Sequence, residues 1–287
     1  MKTIPVRHIT DTERAQINMG RFKIRKVEDI LGGNDLLHNL HRHDFFFILA
    51  LQTGEGIHEI DFVSFKVLDR SVFLLRPGQV HQLMLKAGST GYLMEFDTEF
   101  YHPVNKVSAQ RLRKACNKNF CRLELNRYEK VNAILSNMFE EYTTKQDGYQ
   151  DVIKANLEIF YIEFMRQSLD PDHSVSINQA YLQERLEEFL ELIESNITTR
   201  KQVSQYTDLM NLSPYQLNDI TKTTIGKTAS TVIDEYIILE AKRYLISTSN
   251  QVKELADQLG YEDVSYFIRF FKKHTGLSPE AFRKNFK

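Results

Sequence analysis

Histidines gather in the amino-terminal half of the chain, at His41-Arg42-His43, at His58 and at the end of Pro77-Gly78-Gln79-Val80-His81. Two histidines one residue apart on a strand point to the same face, and a third from a neighbouring strand could close a three-nitrogen site. Such a group suits divalent-metal ligation or the polar corner of a small-molecule pocket. We read His41, His43, His58 and His81 as effector-contacting residues and assign no metal and no cofactor. A second chemically capable set lies in the last quarter of the chain. Tyr215, Gln216, Asn218, Asp219 and Lys222 form one group, and Ser265, Tyr266, Ile268, Arg269, Lys272 and Lys273 the other. Their amide, hydroxyl, guanidinium and ammonium groups suit base edges and phosphates.

The elements that must present this second set are visible as a repeat. Val203/Val252, Tyr206/Leu255, Thr207/Ala256, Met210/Leu259 and Asn211/Gly260 pair at an offset of 49. One extra residue then enters, and Ser213/Asp263, Leu217/Phe267, Ile220/Phe270, Lys222/Lys272 and Gly226/Gly276 pair at 50. Each copy reads as a short amphipathic helix, a residue that tolerates left-handed backbone, an N-cap and a second amphipathic helix, which is a helix-turn-helix. Ser213-Pro214-Tyr215-Gln216 has a capping serine, proline at the first helical position and a capping-box glutamine. Helix spacing turns Leu217, Ile220 and Thr221 inward in the first copy and Phe267, Phe270 and Phe271 inward in the second. Between the copies, Thr228 to Ser247 reads as one helix of about 30 Å. A turn of DNA is about 34 Å, so the connector can hold two reading helices in successive major grooves.

These residues resemble the AraC/XylS family of bacterial transcription regulators over roughly 189–286. The match is densest at Glu240-Ala241-Lys242-Arg243-Tyr244-Leu245 and Leu255-Ala256-Asp257-Gln258-Leu259-Gly260-Tyr261. It continues through Ser265-Tyr266-Phe267-Ile268-Arg269-Phe270-Phe271-Lys272-Lys273, Gly276-Leu277-Ser278-Pro279 and Arg283. The resemblance implies base-edge contacts from Tyr215, Asn218 and Asp219 in the first copy. In the second it implies them from Val264, Ser265, Tyr266, Ile268 and Arg269. Asp219 stands where many relatives carry a basic residue, and Ile220-Thr221-Lys222 replaces the commoner apolar-Phe-Lys run. The second copy is therefore expected to supply more of the backbone affinity. The implied partners are double-stranded DNA, a second copy of the chain, a small-molecule effector and, for an activator, RNA polymerase.

The amino-terminal half reads as β structure from Phe45. Phe45–Leu51 is a continuous apolar run, Ile57–Phe65 is a second strand candidate, and Val72–Leu75, Gln82–Leu85 and Tyr92–Phe96 follow between Gly/Pro turns. The region looks like the cupin-type sensor domain common in the resembled family. Catalytic cupins usually add a Glu shortly after the His pair, and here Asp44-Phe45-Phe46-Phe47-Ile48 follows instead. An antiparallel helical hairpin comes next, its faces marked by Tyr128, Val131, Leu135, Met138, Phe139 and Tyr142 and by Ile153, Leu157, Phe160, Tyr161 and Phe164.

The expected fold class is therefore α+β: an N-terminal cupin-like antiparallel β-barrel with a helical hairpin, then an all-α domain with two helix-turn-helix units. The expected domains are 1–170 for sensing and dimerisation, 171–178 as linker and 179–287 for DNA binding. No apolar run reaches membrane-spanning length and no signal-peptide pattern opens the chain, so a cytoplasmic location is expected. Cys116 and Cys121 are read as free thiols. Charge is a constraint: the 287 residues carry a formal net charge of −1, and residues 180–287 hold 14 Lys/Arg against 15 Asp/Glu. Phosphate contact then depends on a local basic face, expected from Arg269, Lys272, Lys273, Arg283, Lys284 and Lys287. The function expected is a sequence-specific DNA-binding regulator that is not an enzyme; the alternative is a metal-dependent cupin enzyme with a DNA-binding tail.

Overall fold

The computed structural model describes residues 6–7, 21–103, 105–166 and 177–285. The chain divides between Pro171 and Asp172 into two compact units. Of the expected linker, residues 171–176 lie outside the described residues, and 177–178 already belong to a helix.

The amino-terminal unit contains two five-stranded sheets. One is built from β1 (Val6–Arg7), β3 (Leu36–His43), β8 (Val80–Leu85), β5 (Gly56–Ile60) and β6 (Val63–Val67), in that order. The other runs β10 (Phe120–Arg122), β7 (Ser71–Leu75), β4 (Phe46–Thr53), β9 (Thr90–Phe96) and β2 (Phe22–Lys26). All pairings are antiparallel except β1 with β3. Helix α1 (Val27–Leu31) follows β2, α2 (Lys106–Lys118) lies between β9 and β10, and α3 (Leu125–Thr144) and α4 (Tyr149–Arg166) follow β10.

The continuous apolar run in β4 is explained by burial on both faces. Phe47, Leu49 and Leu51 join Ile60, Phe73, Leu75, Leu83 and Leu85 in the core between the sheets. Ile48 and Ala50, on the opposite face, pack with Val72, Met94 and the buried sides of α2, α3 and α4. The hairpin residues Tyr128, Val131, Leu135, Met138, Ile153, Leu157, Phe160, Tyr161 and Phe164 are all buried in that second core. Phe139 and Tyr142 are only partly buried against it.

One strand expected from sequence is two strands. Ile57–Phe65 folds as β5 and β6 around Asp61 and Phe62, whose φ values are 47° and 69°. Two consecutive left-handed residues give the turn that matches hairpin twist, but with neither Gly nor Asn present the sequence carries no signal for it.

The second unit is all helical: α5 (Ile177–Asn196), α6 (Val203–Met210), α7 (Pro214–Ile225), α8 (Ala229–Ser247), α9 (Val252–Gln258), α10 (Val264–Thr275) and α11 (Pro279–Asn285). Leu182 and Leu186 of α5 pack on Ile220 of α7, and Phe189 meets Tyr206 edge-on at 5.6 Å. Among the described residues no helix is long and apolar enough to cross a membrane.

Candidate nucleic-acid interface and histidine cluster

The two helix pairs form as their sequences dictate. Ser213 caps α7, accepting from the Gln216 N–H, while the Gln216 side-chain oxygen accepts from the Ser213 N–H at 2.8 Å. Asp263 caps α10 by accepting from the Ser265 N–H at 2.7 Å. The left-handed positions are Asn211, with φ 52°, and Gly260, with φ 72°. Gly260 is required for a second reason: a Cβ there would lie 1.7 Å from the Thr198 carbonyl oxygen. Lys201 donates to the carbonyls of both Thr198 and Gly260, so the approach to the first unit is fastened to the turn of the second.

Outside these packed sides the candidates separate into two groups. Tyr215 is 81% exposed and Tyr266 54%, and Asp219, Lys222, Ser265, Arg269, Lys272 and Lys273 are exposed beside them. Val264 and Ile268 are half-buried. Asn218 is half-buried and engaged at both ends: its amide nitrogen donates to the Pro214 carbonyl, and its oxygen accepts from the Ala229 N–H at 3.0 Å. It ties α7 to the start of α8 rather than offering its amide outward. Gln216 likewise has its oxygen in the capping box.

The basic face also needs correction. Arg283 is buried, and its guanidinium donates to the Leu245 and Asn250 carbonyls at 3.0 and 2.7 Å, closing the C-terminal end of α8. It is a capping cation and not a phosphate ligand. Lys287 lies outside the described residues. Phe270, expected inward, is only half-buried, between the rings of Tyr261 and His274. Sequence reading also passed over Arg185, which donates to the Met210 carbonyl at 2.6 Å and holds the end of α6.

In the amino-terminal unit the structure gathers all four singled-out histidines. His41 pairs with His81 across β3 and β8, and His58 sits on β5, the next strand over. Their inward direction depends on an irregularity in β3: His38 pairs with Leu83 and His41 with His81, three residues against two. One inserted residue reverses the alternation of a strand. Leu36 and His38 face in before it, and His41 and His43 face in after it. The β7–β8 turn fixes the other side. Gln79 N–H donates to Arg76 O, with Pro77 and Gly78 between them and Gly78 at φ 86°. That is the residue pattern of a type II turn. The Gly78 N–H donates to the His43 carbonyl at 2.8 Å, which ties the turn to the end of β3.

All four rings are buried against aromatic neighbours. His43 stacks on Phe47 with centroids 5.4 Å apart, and His58 lies 4.7 Å from Phe73. Burial, reinforced by His38 and His41, pushes the His58 imidazolium down to about 3, and His81 is also held well below its usual range by burial and its neighbours. Near neutral pH both are therefore neutral imidazoles with lone pairs.

Family comparison follows the same division. A model described as an AraC-like ligand binding domain matches residues 31–159, and a helix-turn-helix domain model matches residues 206–285. The chain belongs to the AraC/XylS family. Among AraC/XylS relatives, it is 33% identical over 94 residues to the bifunctional transcriptional activator/DNA repair enzyme AdaA of Bacillus subtilis. That match covers 33% of this chain and 44% of AdaA, so the chain spans less than half of that relative. The uncharacterized HTH-type transcriptional regulator YfiF of Bacillus subtilis is 22% identical over 259 residues, covering 86% of this chain and 79% of YfiF. The HTH-type transcriptional activator RhaR of Mannheimia succiniciproducens is 22% identical over 254 residues, covering 86% and 87%.

Proposed function

We propose that the protein is a sequence-specific DNA-binding transcription regulator whose activity is set by its amino-terminal domain. The observation that carries this reading is the paired, outward-facing helices α7 and α10 joined by the 19-residue α8. At 1.5 Å per residue α8 is about 28 Å long, close to one turn of DNA. Tyr215, Asp219 and Lys222 face the duplex from α7; Ser265, Tyr266, Arg269, Lys272 and Lys273 face it from α10. Val264 and Ile268 contribute apolar contact at the edge of the second site. Asn218 and Gln216 position α7.

The helical hairpin of α3 and α4 serves a homodimer, and an activator of this kind contacts RNA polymerase. The protein acts by changing its hold on DNA and not by a catalytic step. Gel shift against promoter fragments from its own genomic neighbourhood tests the reading. Sequence-selective, salt-sensitive retardation is expected; binding that is equal on all fragments contradicts it.

A further inference from the structure

We propose that Lys201 is a positioning residue that fixes the two reading helices relative to each other, so that the protein selects operators by the spacing of their half-sites. In the regulator reading above, on which this rests, a lysine of the DNA-binding domain would ordinarily be a phosphate contact. Lys201 is already engaged within the domain. It lies between α5 and α6 and is half-buried. Its Nζ donates to the Thr198 and Gly260 carbonyls, each at 3.0 Å, and stands 4.9 Å from the centroid of the Tyr261 ring. Two oxygens and a ring face take up the three N–H bonds of an ammonium. Burial holds its pKa below the usual lysine range, as for a cation partly drawn out of water.

Each end of this contact is built into one head. On the first side, the Lys201 and Gln202 N–H groups donate to the Gln205 side chain of α6 at 2.9 and 3.0 Å. The buried Tyr206, also on α6, donates its hydroxyl to the Arg200 carbonyl at 2.7 Å. On the second side Tyr261 is buried, and its ring packs on Tyr266 and Phe267 of α10 with centroids 6.0 and 5.3 Å away. Any Cβ at Gly260 would strike both the Thr198 oxygen and the Lys201 ammonium. The Thr198 and Gly260 carbonyls thus bring their negative ends to one spot, and the cation between them turns a repulsion into a tie.

The consequence is mechanical. Helices α6 and α7 pack on α8, and so do α9, α10 and α11. Joined through α8 alone, the heads would share one strut and could twist about it. The Lys201 tie is a second attachment that closes the frame. One extra base pair moves a half-site by about 3.4 Å and turns it by about 34–36°. A closed frame cannot follow that change and loses contacts at one head, whereas a frame opened at the tie can swing after it.

The test uses the full chain and duplexes built on a retained promoter fragment, with the two half-sites at their preferred spacing and one base pair nearer or farther. Wild type should lose about tenfold or more in affinity on either altered duplex, the scale of one lost base contact. Lys201→Met should bind the preferred duplex nearly as wild type does, with its salt slope unchanged. Its spacing penalty should fall to about threefold or less. Lys201→Arg, which keeps a cation, should restore most of the penalty. Lys222→Ala should instead weaken all three duplexes alike and lower the salt slope by about 1. A Lys201→Met protein that behaves like Lys222→Ala, or that keeps the full spacing penalty, overturns the proposal. Should Lys201→Met unfold, reductive methylation of the wild-type chain decides. Lys201 should be protected equally with and without DNA, and Lys222 by DNA alone; free modification of Lys201 without DNA overturns the tie. A protected Lys201 in a chain that binds no duplex selectively sinks the regulator reading and the spacing role with it, while leaving the tie. Selective binding with an unprotected Lys201 sinks the tie alone.

Discussion

In the first helix-turn-helix unit, α7 buries Leu217, Ile220 and Thr221, whereas in the second α10 buries two phenylalanines, Phe267 and Phe271. The same backbone plan thus rests on a smaller apolar payload in the first copy and a larger aromatic one in the second. The outward faces differ in the same direction. The last turn of α7 carries Lys222 alone, and that of α10 carries Lys272, Lys273 and His274. Asp219 adds an acid to the first face, while Arg269 on the second lies 3.8 Å from the capping Asp263 and remains exposed. A duplicated fold can therefore present two unequal heads, one better anchored and more basic than the other.

The largest effect expected from breaking this comparison is structural. Gly260→Ala must relieve a 1.7 Å approach to Thr198 O while holding φ 72°, and should destabilise the carboxy-terminal domain by about 3 kcal/mol or more. Asn211→Gly, at the equivalent place in the first unit, should be neutral or slightly stabilising. Urea unfolding of the two variants side by side measures the contrast.

Arg269→Ala should cost about 1–3 kcal/mol of binding to the preferred site and flatten base preference there, the scale of one good bidentate base contact. Tyr215→Ala should cost less, which titrations against matched and mismatched duplexes would show. A third prediction concerns salt. Lys272→Ala should weaken all sequences alike and lower the salt slope by about 1, and Lys272→Ala/Lys273→Ala together by more than Lys222→Ala does. The smallest effect belongs to Asn218→Ala. Losing the bond to the Ala229 N–H should cost about 1 kcal/mol of stability and leave base preference unchanged, since that side chain holds α8. A changed base preference would return Asn218 to the reading face.

Much of this was legible in the sequence because the signals are local. Ser213-Pro214-Tyr215-Gln216 encodes a helix start within four residues, and Leu217, Ile220 and Thr221 mark their own buried side. The apolar run from Phe45 announced a strand, and its burial on both faces shows only once the second sheet and the helices pack around it. What could not be read depends on a partner segment. The extra residue in β3 has meaning only against β8, so the inward turn of His41 and His43 is invisible in β3 alone. The β5–β6 turn uses Asp61 and Phe62 at positive φ, without the glycine that marks such turns. Arg283 and Asn218 look like surface contacts in a helical pattern, and only the carbonyls and the N–H they meet reveal them as ties.

In the proposed function, two unequal helices read one face of DNA about one turn apart. Hydroxyl-radical footprinting of the wild-type protein on its operator tests it most directly. Two protected segments about 10–10.5 base pairs apart are expected for each bound protomer, on one side of the duplex. One should fade first in Arg269→Ala and the other in Tyr215→Ala. A single protected segment, or two that respond identically to both substitutions, would contradict the account.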